Sequence, residues 1–317
     1  MNKAELNEKL LQFINEPDLF VCEVYFILNK EDEKVIKLAD IDAEDQKELK
    51  TKFLTTLGEN ITGNEELRLV EISKIEERKN ILFHYDYDEL PQNFEPFSTL
   101  QTEHQFDNFS FTEDKFSEIA GIVFLMALND LTLITYKQHY PINLYKRGSR
   151  GMGLWKSNQR LVQIPDDILT IYPDFDFFFL NEKLFIKNVK VLERHFSYDK
   201  VVAKKAEEGL ELIEASQFVM DTSLLQGRMH DMTFARKLAQ VTQHSKVLNL
   251  QIQQVIHFVN HYPDLVNKFR FNPERSQFDL STKQTQNLFL KLLNDDFLVS
   301  QLTNQYYDSS SKDLVTA

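Results

Sequence analysis

Apolar positions recur at helical spacing from the first residues: Leu6, Leu10, Phe13 and Ile14 share one face of an amphipathic helix over 3–15. The pattern then shortens. Residues 19–28 are dense in β-branched and aromatic side chains, and the polar turn 29–33 leads into a second short run at 35–41, which together make a hairpin signature. Asp42 is placed to cap a helix whose first turn carries Glu44 and Asp45, acids favoured at the positive end of a helix dipole, and which ends near Gly58. Short apolar runs follow at 67–72, 81–87, 119–128, 132–137, 142–145, 161–164, 175–180 and 184–187, with links of only three or four residues at 129–131, 138–141 and 181–183. Connections that short permit antiparallel pairing only, since a parallel crossover takes about a dozen residues, so the pattern predicts an antiparallel meander. Residues 91–113 show no period and predict a long surface loop.

From Tyr198 the period lengthens to the helical one. Helices are predicted over 198–215, 231–244, 248–261 and 281–294, the last opened by a capping box of Ser281 with Gln284. Residues 269–280 predict a short hairpin, and the tail from Asp308 predicts a frayed end. The change of period predicts an α+β protein, an antiparallel β-rich N-terminal part followed by a mainly helical C-terminal part. As domains, 1–195 reads as mixed and β-rich with a basic loop at 137–160, and 196–317 as helical.

Composition narrows the function classes. Of 317 residues, 42% are hydrophobic and 26 are Phe, enough for a sizeable core, while only 8 Gly and 8 Pro exclude collagen-like and low-complexity architectures and leave turns to Asn, Asp and Ser. The single cysteine, Cys22, excludes a disulfide framework and a Cys-rich zinc module, and within an apolar strand it predicts an inert thiol in a reducing compartment. The longest apolar run, 121–128, falls far short of the roughly 20 residues that span a bilayer. No signal-peptide pattern opens the chain, so the expectation is a soluble intracellular protein.

Charge changes the picture most. The net charge is −13, but residues 1–130 carry 29 acids against 13 bases and residues 166–317 carry 20 against 17, whereas 131–165 carry six bases and no acid. Those bases are Lys137, Lys146, Arg147, Arg150, Lys156 and Arg160, interleaved with Tyr136, Tyr140, Tyr145 and Trp155 and with the glycines Gly148, Gly151 and Gly153. Point charges and guanidinium forks suit phosphates, and flat rings suit unpaired bases. The same letters also suit a solvated face that neutralises acidic neighbours, a dock for an acidic protein, or aromatic core positions. A second candidate is the helix from Phe234, where Phe234, Leu238 and Val241 turn inward and Arg236, Lys237, Gln240 and Gln243 outward, able to touch phosphates or base edges or simply solvent.

Enzyme signatures are incomplete. Gly148 and Gly153 have a P-loop's glycine spacing but are followed by Leu154 and Trp155 instead of the Lys and Ser or Thr that reach phosphate and magnesium, and the three glycines lack a dinucleotide fold's order. His257 and His261 stand four apart, with Phe258 where a metalloprotease has its Glu. Asp174, Asp176, Glu182 and Lys183 are of the types with which nucleases hold magnesium, without the usual Glu-x-Lys spacing, and equally of the types that make turns.

Four stretches carry a resemblance: Lys79-Asn-Ile-Leu-Phe-His-Tyr-Asp-Tyr, Phe175-Asp-Phe-Phe-Phe-Leu-Asn-Glu-Lys-Leu-Phe-Ile-Lys-Asn, Phe234-Ala-Arg-Lys-Leu-Ala, and Phe289-Leu-Lys-Leu-Leu-Asn-Asp-Asp-Phe-Leu. In this order the chain resembles the KwaB family, cytoplasmic proteins of the two-component Kiwa anti-phage systems of bacteria, from about residue 79 onward. The resemblance implies a defence protein that joins a small transmembrane partner, KwaA, at the cytoplasmic face of the inner membrane, binds phage DNA and obstructs its replication and transcription. It brings no catalytic, metal or cofactor residues with it. The expectation is therefore a non-catalytic DNA-binding effector, acting as a homo-oligomer that multiplies a weak cationic surface. Charge assigns the DNA contacts to Lys137, Lys146, Arg147, Arg150, Lys156, Arg160, Arg236 and Lys237. The alternatives are a magnesium-dependent nuclease using Asp174, Asp176 and Glu182, and an interaction adaptor that binds no nucleic acid.

Overall fold

Asn2 opens the first helix, α1 (Lys3–Asn15): its side chain accepts the Glu5 amide while the Glu5 carboxylate accepts the Asn2 amide, a reciprocal capping box. The computed structural model describes all residues except 32, 75–77, 103–104, 141–143, 146–153, 158–159, 165–166, 275 and 313–317, and only the backbone of 144, 145, 155 and 157. The chain forms two compact units. One comprises Met1–Leu69, Asn80–His84 and Asn93–Val191, the other Val70–Lys79, Tyr85–Gln92 and Leu192–Ala317.

In the first unit, β1 (Cys22–Lys30) and β2 (Glu33–Leu38) form the expected hairpin, and Asp42 caps α2 (Ala43–Leu57) by accepting the Glu44 amide. The remaining elements are β3 (Arg68–Glu71), of which Val70 and Glu71 belong to the second unit, β4 (Ile81–His84), α3 (Glu95–Thr102), β5 (Ile119–Leu128), β6 (Leu131–Gln138), β7 (Leu144–Tyr145), β8 (Leu154–Ser157), β9 (Arg160–Gln163), β10 (Ile168–Leu169), β11 (Phe177–Leu180), β12 (Lys183–Ile186) and α4 (Val189–His195), of which Leu192–His195 belong to the second unit. The main sheet has the order β2-β1-β5-β6-β11-β12-β4-β3. The pairs with short links are antiparallel, as expected, but the sheet is not a meander. The segments between β2 and β5 and between β6 and β11 are long enough to leave the sheet, so link length does not constrain them, and β3 and β4 lie at the far edge from β1.

Asparagine makes the tight turns. Asn129 between β5 and β6, and Asn181 between β11 and β12, take φ of 55° and 53°, which its short amide tolerates. Asn181 also locks the two hairpins together, its Oδ1 accepting the Thr132 amide at 2.8 Å.

Both faces of the sheet are buried. On one, Leu6, Leu10 and Phe13 of α1 and Phe53, Leu54 and Leu57 of α2 share a core with Phe124, Phe178 and Phe185. On the other, Phe97 of α3 meets Tyr136, Phe177 and Phe179 at ring distances of 5.6, 5.2 and 5.7 Å. The segment expected as a surface loop at 91–113 thus contains a buried helix. Eight residues beginning Glu95-Pro96 show only Phe97 and Leu100 at helical spacing, too few for a period to register.

The second unit is mainly helical, with α5 (Tyr198–Ser216), α6 (Ser223–Gln226), α7 (Met232–His244), α8 (Ile252–His261) and α9 (Lys283–Leu293). Small hairpins add β13 (Arg270–Phe271) with β14 (Phe278–Asp279), and β15 (Phe297–Val299) with β16 (Tyr306–Asp308). At Gly209, α5 passes so close to α7 that an added Cβ would meet the Leu238 carbonyl, and Thr242 beside it donates its hydroxyl to the Lys205 carbonyl at 2.8 Å. The capping box of α9 lies one residue later than expected, on Thr282 and Thr285. The fraying expected from Asp308 is not found over 308–312, where Ser309 donates its amide to the Asp296 carbonyl and Lys312 pairs with the Asp296 carboxylate at 2.8 Å; 313–317 lie outside the described residues.

Candidate nucleic-acid interface

β6 and β11 are adjacent antiparallel strands, with Tyr136 opposite Phe177, yet the chain between them runs from 139 to 176. The basic stretch is therefore an excursion from a hairpin. It is built of nested pairs: β7 with β10 inside the first bend, then β8 with β9, each antiparallel. Lys156 on β8 and Arg160 on β9 are exposed, and among the described residues neither meets a carboxylate. The cause is compositional, since the excursion supplies no acid between 131 and 165. In the ribbon register Lys156 lies opposite Leu161 and Ser157 opposite Arg160, so the two cations occupy opposite faces.

Lys137 has another role. Its Nζ lies 3.0 Å from Asp174 and 3.3 Å from Asp176, and Lys187 lies 2.9 Å from Asp174. Asp176 is buried and accepts the Gln138 amide at 2.8 Å and the Asn188 side chain at 3.0 Å, while its own amide donates to the Tyr136 carbonyl. Burial pushes the Asp174 carboxyl up, but bonds from Lys187, the Phe175 amide and Lys137 outweigh it and hold the group below its ordinary value. This network closes the root of the excursion, where the chain leaves β6 and returns to β11. Glu182 is in the turn at the other end of β11, roughly 15 Å from Asp176 at about 3.3 Å per strand residue. The three carboxylates of the nuclease reading are not brought together.

The aromatic residues divide in the same way. Tyr136 is core, stacked on Phe177 at 4.8 Å, whereas Tyr140 is exposed. The candidate residues Lys146, Arg147 and Arg150, with the glycines between them, lie outside the described residues, as do the side chains of Tyr145 and Trp155.

On α7, Arg236 pairs with Glu193, and burial draws its guanidinium below the ordinary value. Lys237 is half-buried and without an ion pair among the described residues, and Gln240, expected outward, is buried against the core.

Two polar groups escaped the sequence reading. Ser73 Oγ lies 2.5 Å from Asp86 and 2.6 Å from His244 Nε2. These are a hydrolase's residue types in a different order: the hydroxyl sits between the other two and donates to the Asp86 carboxylate, which orients its hydrogen away from His244, so the imidazole is not placed to take it. The contact joins residues 171 apart and leaves no local signature. His139, at the start of the excursion, is buried with neither ring nitrogen bonded to a described residue, and desolvation lowers its pKa, as it does for His244.

Both histidines therefore bind a proton less readily folded than unfolded. Below the ordinary histidine value the unfolded chain takes up more protons, so their contribution to stability is complete above about pH 6.5 and is lost as pH falls from there. Urea midpoints at about pH 7.5 and 5.5 should show the loss, and His139→Phe, which removes two unbonded buried nitrogens, should reduce the drop without lowering the midpoint at neutral pH.

The Kiwa protein KwaB-like family matches residues 116–303, more than half of the chain. A curated relative, Kiwa protein KwaB of Escherichia coli O55:H7 (strain RM12579 / EPEC), is 27% identical over 316 residues, covering 99% of each chain. No solved structure matches.

Proposed function

The chain belongs to the KwaB-like family of Kiwa proteins, components of anti-phage defence, and from that premise we propose that it grips phage DNA without cleaving it, through the excursion between β6 and β11. The observation that carries the reading is the ribbon of β8 and β9, which presents Lys156 and Arg160 to solvent without a carboxylate partner among the described residues. An acidic molecule of net charge −13 repels a polyanion nearly everywhere else, so a local cationic projection also sets the orientation of binding. Lys146, Arg147 and Arg150 belong to the same proposed surface on charge alone, and Lys237 is a secondary contact. Lys137 supports the root, and Arg236 is held by Glu193.

Among the described residues no helix is long and apolar enough to cross a membrane. A transmembrane KwaA-like partner would therefore hold the protein at the cytoplasmic face of the inner membrane, and association of several copies would multiply the weak grip of one ribbon.

The test is the salt dependence of affinity for a duplex. Each lost phosphate contact lowers the slope of log affinity against log salt by about one, so Lys156→Glu with Arg160→Glu should flatten it by about two and weaken binding by about tenfold or more. An unchanged slope removes the ribbon from the site. Binding of an acidic protein in place of DNA would favour the adaptor reading.

A further inference from the structure

Phosphate binding leaves part of the ribbon unexplained. Leu154, Leu161 and Val162 are 49, 69 and 38% exposed, and β8 and β9 pair only with each other among the described strands. The register puts Leu154 and Leu161 on the face of Lys156, and Val162 on the face of Arg160. Aliphatic side chains kept in water forgo the free energy of burial, and here they stand beside cations on both faces of a narrow arm.

Charge complementarity selects the occupant: a stretch with five bases besides the paired Lys137, and no acid before 166, fits a groove walled by phosphates on both sides. Reading the major groove needs donors and acceptors aimed at base edges, and the central residues of β9, Leu161 and Val162, offer none. Aliphatic side chains between cations instead suit the minor groove, where they wedge against base steps, unstack them and bend the duplex. We propose that the β8–β9 ribbon enters the minor groove of duplex DNA, with Leu154 and Leu161 of one face against base steps, Lys156 of that face and Arg160 at the ribbon's end on flanking phosphates, and bends the DNA. This rests on the reading that the excursion binds DNA.

A duplex of roughly 30 base pairs carrying a dye at each end reports the bend by energy transfer. The full chain should shorten the end-to-end distance in keeping with a bend in the range of about 20–90°. Leu154→Ser with Leu161→Ser, at exposed positions that leave folding intact, should abolish the shortening while keeping the salt slope. Wild-type binding with no change in distance, or undiminished bending by the variant, overturns the wedge and leaves the DNA reading standing. No binding to the duplex overturns both. Capture of phosphatidylglycerol vesicles, lost in the same variant with the duplex untouched, would place the ribbon on a lipid surface and also overturn both.

Discussion

Asp176→Ala is expected to destabilise the protein by about 2–5 kcal/mol, since each buried donor left without its acceptor costs about 1–3 kcal/mol. The carboxylate accepts from the Gln138 amide, the Asn188 side chain and Lys137, so its removal strands two donors and leaves Lys137 with Asp174 alone. Chemical denaturation measures the loss, and Asp176→Asn, which keeps an acceptor, should recover part of it. The pair of variants also bears on catalysis. A magnesium nuclease with Asp176 as a ligand would lose cleavage in both variants, whereas for a structural anchor DNA affinity should fall in step with stability.

Gly209→Val should cost about 3 kcal/mol or more, at the upper end of overpacking penalties, because what it meets is backbone. A Cβ at 209 runs into the Leu238 carbonyl across the α5–α7 contact, and neither helix can yield by a side-chain rotation. In an exposed helix the same exchange would be mild, since Gly is about 1 kcal/mol worse than Ala there. Cooperative loss of the helical unit at lower denaturant is the expected observation, and a midpoint within error of wild type would mean that the helices do not approach as described.

What the sequence revealed depended on how local the cause was. The run 119–128 forms a strand with those bounds because every second residue, and most of the others, are apolar, and Asp42 caps α2 because capping needs only residues two or three apart. α3 was invisible because its reason for being helical, the burial of Phe97 against Phe177, comes from a strand eighty residues away. The absence of acids in 131–165 located the excursion, but the roles of its cations depended on distant partners. Lys137 looked equivalent to Lys156 until Asp174 and Asp176 returned beside it from β11. Arg236 likewise was read as free because nothing near it in sequence announces Glu193.

The way the excursion is inserted has a consequence for how such proteins diversify. It departs and re-enters through neighbouring strands that pair Tyr136 with Phe177, and its neck is tied by Lys137 and Lys187 outside it and by Asp174 and Asp176 at its returning end, away from the β8–β9 ribbon. The scaffold has already met the cost of holding the arm, so mutation can lengthen, shorten or recompose it without disturbing the sheet. Pressure from changing invaders can thus act on the arm, where DNA binding is proposed, while the fold that bears it stays the same.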